Sequence, residues 1–325
     1  MRLSRINIVA ALVVCVAFVS SGCNSETSGK SKGPYRITCT VGMITDIVRQ
    51  VAGDKADVEG IIGEGVDPHL YQATRSDINK LMAADIVFYN GLMLEGKMAD
   101  ALVKVGRKRP VYAATEFVDK SRLLEPPEFD GHHDPHLWMD PTLWKKCAET
   151  IAKTLGEFDP ANKSHYFKNY ERYAQQIDKL HEYAQKSLST IPEKSRVLVT
   201  AHDAFNYFAR AYDLEVKGIQ GISTESEAGL KDINQLVDLL VQRGIRAVFV
   251  ESSVSDKNVK ALVEGAAAKG GKVTIGGTLF SDAMGRPGSY EGTYIGMIDH
   301  NVTKITRALG GKAPQKGMQG KLSGG

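Results

Sequence analysis

Residues 161–189 read ANKSHYFKNYERYAQQIDKLHEYAQKSLS, with no glycine and no proline. Tyr166, Tyr170, Tyr173, Ile177 and Leu180 recur in it at helical spacing, the pattern of residues packing along one face. Asp159 precedes the run as a candidate N-cap, Pro160 suits a first helical turn, and Pro192 closes it. At 1.5 Å per residue such a helix extends roughly 45 Å. That is longer than a small domain needs, so 159–191 is read as a strut joining two lobes. On its N-terminal side, strand-like runs at 36–41, 58–62, 86–89 and 110–113 alternate with helical patterns at 44–51 and 76–83. Beyond it, strands at 196–200, 247–250 and 272–275 alternate with helices at 205–212, 230–243, 259–269 and about 294–309. Such alternation predicts parallel sheets covered on both faces. The expected class is α/β: two (β/α) lobes, 34–158 and 192–310, each with a mostly parallel sheet, joined by one long rigid α-helix. A length of 325 residues suits two domains. The Gly- and Lys-rich end, 311–325, is expected to be a flexible tail.

The N-terminus reads differently. Arg2 and Arg5 precede an almost unbroken apolar run at 8–19, shorter than the roughly 20 residues of a spanning helix. Ser20-Ser21-Gly22 and Cys23 follow. This is the layout of a secretory signal, 1–22. An uncleaved membrane anchor is the alternative, and both readings put the remainder outside the cytoplasm. Residues 23–33, rich in Ser, Gly and Lys, read as a tether. Cys39 and Cys147 are either a pair, which export permits, or two separate buried thiols. The formal net charge of +3, with basic residues spread along the chain and no nucleic-acid motif, sets nucleic acid aside as a partner.

Four short segments carry the chemistry: Val66-Asp67-Pro68-His69, Asp134-Pro135-His136-Leu137-Trp138, Thr200-Ala201-His202-Asp203 and Leu279-Phe280-Ser281-Asp282. Each follows an expected strand or lies in a loop leading to the next helix. In open α/β sheets ligands bind beyond the carboxyl ends of strands. Two segments come from each lobe, so a shared site would lie between them. Three imidazoles and a carboxylate suit a divalent first-row metal and are poor for calcium, which prefers oxygen. Proline before His69 and His136 stiffens the chain, and Asp67 or Asp134 can cap or orient the turn.

Here the sequence resembles a known family. Val66-Asp67-Pro68-His69-Leu70-Tyr71-Gln72-Ala73-Thr74 is similar to the first metal motif of the cluster A-I (cluster 9) solute-binding lipoproteins of metal ABC transporters. His136-Leu137-Trp138-Met139-Asp140-Pro141 is similar to the second. Ala201-His202-Asp203-Ala204-Phe205-Asn206-Tyr207-Phe208 is similar to the third, and Ser281-Asp282 to the fourth. The likeness spans nearly the whole chain after the signal, in order, and includes the long helix. It implies one metal ion between two lobes, with His69, His136, His202 and Asp282 as ligands. It implies a monomeric, non-enzymatic binding protein that passes manganese or zinc to an ABC transporter permease. Gly22-Cys23 resembles a bacterial lipoprotein signal, which makes Cys23 the lipidated residue and the membrane a partner through that lipid. The leucine usual three places earlier is Ser20 here.

Other residues are weighed against this set. Zinc-specific relatives often carry a long His-rich loop near His132 and His133, and the pair alone leans toward manganese. Both also read as solvated loop residues. Asp140 is either an acceptor orienting a ligand imidazole or the start of a helix at Pro141. Glu251 resembles a structural position. His165, His181 and His300 are expected at the surface, and Tyr166, Tyr170 and Tyr173 as packing. A zinc hydrolase, with Glu251 or Asp203 as base, is the rival reading, and a lipid-anchored adhesin a third. No HExxH or GxSxG motif supports an enzyme.

Overall fold

The computed structural model describes residues 34–129 and 131–323. The signal, Cys23 and the tether lie outside them. The first lobe runs β1 (Tyr35–Cys39), α1 (Gly42–Ala52), β2 (Ala56–Gly60), α2 (Arg75–Ala83), β3 (Ile86–Tyr89), α3 (Ala99–Gly106) and β4 (Val111–Ala113). Its sheet is parallel in the order β2-β1-β3-β4. Two helices follow, α4 (Pro141–Phe158) and α5 (Lys163–Leu188). The second lobe runs β5 (Val197–His202), α6 (Asn206–Tyr212), β6 (Glu215–Gln220), α7 (Leu230–Arg243), β7 (Ala247–Glu251), α8 (Lys257–Ala268), β8 (Thr274–Leu279) and α9 (Tyr294–Ala308). β5 pairs in parallel with β6 and β7 with β8, and β5 and β7 lie side by side.

Local chemistry accounts for several boundaries. Thr74 and Asp77 form a capping box that starts α2: the Thr74 hydroxyl accepts from Asp77 N, and Asp77 Oδ2 accepts from Thr74 N at 2.8 Å. Asp140 caps α4 by accepting from Thr142 N at 2.8 Å, with Pro141 at the first helical position. Gly244 ends α7 at φ 64°, a left-handed conformation that glycine adopts without cost.

The strut is real but less free than its name suggests. α5 has 26 residues, about 39 Å of helix. It buries Tyr166, Tyr173, Ile177, Leu180 and Ala184 along one face. That face packs on α4, on α1 of the first lobe and on α9 of the second. One continuous apolar core therefore runs from Ile37 through both helices to Leu309, with a smaller core inside the second lobe around Val199, Val248 and Leu262. A wide swing of one lobe would open this core to water, at about 25 cal/mol per Å² of apolar surface.

The structure corrects several expectations. α3 and β6 were not anticipated as elements, and α4 only as a possible helix start at Pro141; β6, with Glu215, Lys217 and Gln220, carries little of the apolar signature of a strand. The end of the chain, expected to be flexible, is docked as far as Ser323. Asp299 Oδ1 accepts from Met318 N at 2.9 Å, Glu291 Oε1 accepts from Ser323 N at 2.7 Å, and Leu322 is buried. Cys39 and Cys147 are separate, fully buried free thiols. Among the described residues no helix is long and apolar enough to cross a membrane.

If α5 is held by its buried face, Leu180→Ala should destabilise the protein by about 2–5 kcal/mol. The exposed Glu182→Ala on the opposite side should change stability by less than about 0.5 kcal/mol. Equilibrium urea unfolding measures both.

Candidate metal centre

The two Asp-Pro-His triplets fold as the same turn. Asp67 Oδ1 accepts from His69 N at 2.8 Å, and Asp134 Oδ1 accepts from His136 N at 2.9 Å. Aspartate closing a turn on the amide two residues later is a favoured local hydrogen bond, and the intervening proline has no donor to compete. The other oxygen of Asp67 accepts from the Thr224 hydroxyl of the second lobe at 2.5 Å. His202 is the last residue of β5, and Glu251 is the last residue of the neighbouring β7. Asp282 lies three residues beyond β8, in a loop held to α9 by Asn301. The Asn301 Oδ1 accepts from Phe280 N at 2.9 Å, and its Nδ2 donates to Phe280 O at 2.7 Å.

These elements bring the four side chains to one point. His69 Nε2 is 3.4 Å from His136 Nε2 and 3.5 Å from Asp282 Oδ2. His136 Nε2 is 3.4 Å from Asp282 Oδ1, and His202 Nε2 is 3.2 Å from Asp282 Oδ2. One ligand atom from each of the four residues lies within 4.8 Å of every other. All four residues are buried, none more than 3% exposed. Donors about 2.0–2.1 Å from a shared ion at the tetrahedral angle stand about 3.4 Å apart, which matches this spacing. His202 Nε2 and both Asp282 oxygens are buried without a hydrogen-bond partner of ordinary geometry. Native proteins rarely leave three such atoms together unsatisfied.

Two carboxylates behind the site fix the imidazoles. Asp134 Oδ1 is 2.7 Å from His136 Nδ1, and Glu251 Oε2 is 2.5 Å from His202 Nδ1. Each carboxylate takes the proton on Nδ1 and turns Nε2 toward the centre, the arrangement that prepares histidine to bind a metal. Glu251 Oε1 also accepts from His202 N at 2.8 Å, so both of its oxygens are engaged.

Burial opposes charge on every one of these rings. At His136 the carboxylates of Asp134 and Asp282 outweigh it and lift the imidazole to about 9. At His202, Glu251 and Asp282 likewise overcome burial and raise it well above its ordinary value. His69 has no such partner behind it. Burial dominates there and lowers it to about 3 despite the nearby Asp282. Burial would raise Asp282, but His202 and His136 hold it well below the usual carboxylate range.

All four expected residues thus meet, two from each lobe. Other residues fall elsewhere. His132 is exposed and His133 half-buried, and neither belongs to the cluster. Asp140 proves to be the α4 cap. His165, His181 and His300 are half-buried rather than fully exposed; His300 Nε2, for example, donates to Thr278 O at 2.9 Å. Tyr166 and Tyr173 pack as anticipated. Sequence reasoning missed the part Glu251 plays. Its signal was present, a carboxylate at the end of a strand, but only the packing of β7 beside β5 makes it adjacent to His202.

Residues 37–308 match the family described as ZnuA, zinc-uptake complex component A periplasmic. The chain belongs to that family. Among its ZnuA-family relatives, the manganese-binding lipoprotein MntA of Bacillus subtilis is 46% identical over 301 residues, covering 92% of this chain and 98% of that protein. The zinc-binding protein TroA of Treponema pallidum is 42% identical, covering 93% and 96%. The solved structure of the periplasmic zinc-binding TroA superposes with a TM-score of 0.83 over 85% of this chain and 99% of that one, at 44% identity. The fold of TroA is the α/β architecture described above, and two further relatives, 33% and 34% identical, are named as a metal and a manganese ABC transporter substrate-binding lipoprotein.

In the metal-free protein at pH 7 the imidazoles of His136 and His202 should therefore be charged, and that of His69 neutral. Long-range nitrogen–proton NMR from pH 4 to 10 should show His136 losing its proton near 9 and His69 remaining neutral throughout.

Proposed function

We propose that this protein captures one divalent transition-metal ion, manganese or zinc, between its lobes and delivers it to the permease of an ABC transporter for import. His69, His136, His202 and Asp282 are the ligands in this reading. It is carried by one observation: three imidazole Nε2 atoms and a carboxylate converge on one buried point, with unsatisfied atoms facing it. The names of the relatives supply the cargo class, manganese for one and zinc for the other. Four protein ligands, with Asp282 able to use one oxygen or two, can serve zinc in tetrahedral geometry or manganese with more oxygen. Cys23 carries a lipid, and 23–33 tether a monomeric binding domain to the outer face of the membrane. The shared core along α5 favours entry and exit of the ion by movement of loops over a wide hinge. The hydrolase reading is weakened at Glu251, one of its two candidate bases, because both oxygens of that carboxylate are held by His202.

The full chain carrying Cys23→Ser should bind one Mn²⁺ or Zn²⁺ by isothermal titration. His136→Ala, His202→Ala and Asp282→Asn should each weaken binding more than about 100-fold, the upper range for losing a mere supporting partner of a ligand. Retention of wild-type affinity by any two of them would end the ligand assignment.

The raised imidazoles add a pH dependence. An ion that enters must displace the protons on His136 and His202, because metal binds the neutral ring. Binding at pH 7 should release about two protons per ion, read from titrations in buffers of differing ionisation enthalpy. Below neutrality affinity should fall by up to about 100-fold per pH unit, tenfold for each displaced proton. Unchanged affinity between pH 7 and 5 contradicts histidine ligation.

A further inference from the structure

Trp138 joins the two halves of the site. It lies in a single 3₁₀ turn, Leu137–Met139, two residues after His136, and is fully buried. Its ring packs edge-on to His136, with centroids 5.2 Å apart. Its indole Nε1 crosses to the second lobe and donates to Ser281 O at 2.9 Å. Ser281 is the residue before Asp282. One rigid side chain thus touches a ligand of the first lobe and is bonded to the backbone beside a ligand of the second.

Trp138 is itself anchored from behind. Tyr294 OH, at the start of α9, donates to Trp138 O at 2.9 Å. Tyr294 N donates to Asp46 Oδ2 of α1 at 3.0 Å, and Tyr173 OH of α5 donates to the same oxygen at 3.1 Å. A buried polar chain, Tyr173–Asp46–Tyr294–Trp138–Ser281, therefore runs from the long helix through the apolar core to the site. Every donor in it has its acceptor, which in a low-dielectric interior fixes positions closely.

We propose that Trp138 is a positioning residue that sets the spacing between the His136 and Asp282 halves of the site and so limits how fast a captured ion is released. The inference rests on the ligand reading above and adds to it the residue that holds the halves in register. Removing the indole N–H leaves Ser281 O without that donor and frees the Ser281–Asp282 segment to shift, while all four ligand residues are retained. The chain provides its own control. Trp144 is equally buried, 6.3 Å from Trp138, yet its Nε1 has no hydrogen-bond partner.

The test loads the full chain with Zn²⁺ and follows release into excess chelator by stopped flow. Trp138→Phe should retain one ion per chain and release it about 10–100-fold faster, the usual effect of losing a partner that orients a ligand. Trp144→Phe should release it at the wild-type rate. The visible d–d bands of the Co²⁺-loaded protein, which report ligand geometry, should shift in Trp138→Phe and match wild type in Trp144→Phe. Should Trp138→Phe fail to fold, Tyr294→Phe decides, since it keeps every ring and removes only the anchor on Trp138 O. Release several-fold faster supports the proposal, and a wild-type rate overturns it. Wild-type release from Trp138→Phe, equal acceleration by both tryptophan variants, or identical d–d bands in all three proteins would also overturn it. A wild-type chain that holds no Zn²⁺ would instead refute the ligand reading.

Discussion

The structure depends on ionisable groups packed where water cannot reach them. His69, His136, His202 and Asp282 are all but fully buried, and burial is the largest influence on each of their protonation states. An unpaired charge in such a place is costly. Asp134 and Glu251 lower that cost by holding the outer nitrogens of two rings. In the metal-free protein the raised imidazoles of His136 and His202 then hold their protons at neutral pH beside Asp282, whose carboxyl is held well below its usual range. In the proposed capture a divalent ion enters, two protons leave, and the net charge of the site is unchanged. Exchange at constant charge lets a buried site fill and empty without a large electrostatic penalty in either state.

That arrangement needs a frame that keeps two lobes in register, and the frame is apolar. α5 is a shared wall, packed on α1 and α9 from opposite lobes and on α4 along its length. The site residues sit on the short loops and strand ends this wall supports. The turns at His69 and His136 are closed by their own aspartates, the Asp282 loop is pinned by Asn301, and Thr224 reaches across to Asp67. Both the loops that carry the site and the core that unites the lobes are thereby held in place.

The relatives show how far one frame serves different ions. A protein named for manganese and one named for zinc each share more than two-fifths of this sequence over nearly its full length. Three imidazoles and a carboxylate lie between the preferences of the two metals. Small differences in ligand spacing therefore matter, and spacing is what the buried chain through Tyr294, Trp138 and Ser281 controls.

The sequence by itself determined the alternation of strands and helices, the glycine- and proline-free helix between the lobes, and the four ligand-type residues. These are written in local terms: period, punctuation, and motifs of a few residues. It left Cys39 and Cys147 open and misread the docked tail, because thiol separation and the hydrogen bonds from Asp299 and Glu291 depend on residues distant along the chain. It did not assign Glu251 to His202 or Trp138 to Ser281. The packing of β7 beside β5 decides the first of these pairs and the docking of the lobes decides the second. Tertiary structure alone also set the protonation of the rings. Three histidines of one residue type are driven in different directions by burial and by which carboxylate stands behind each, and neither quantity is a property of the local chain.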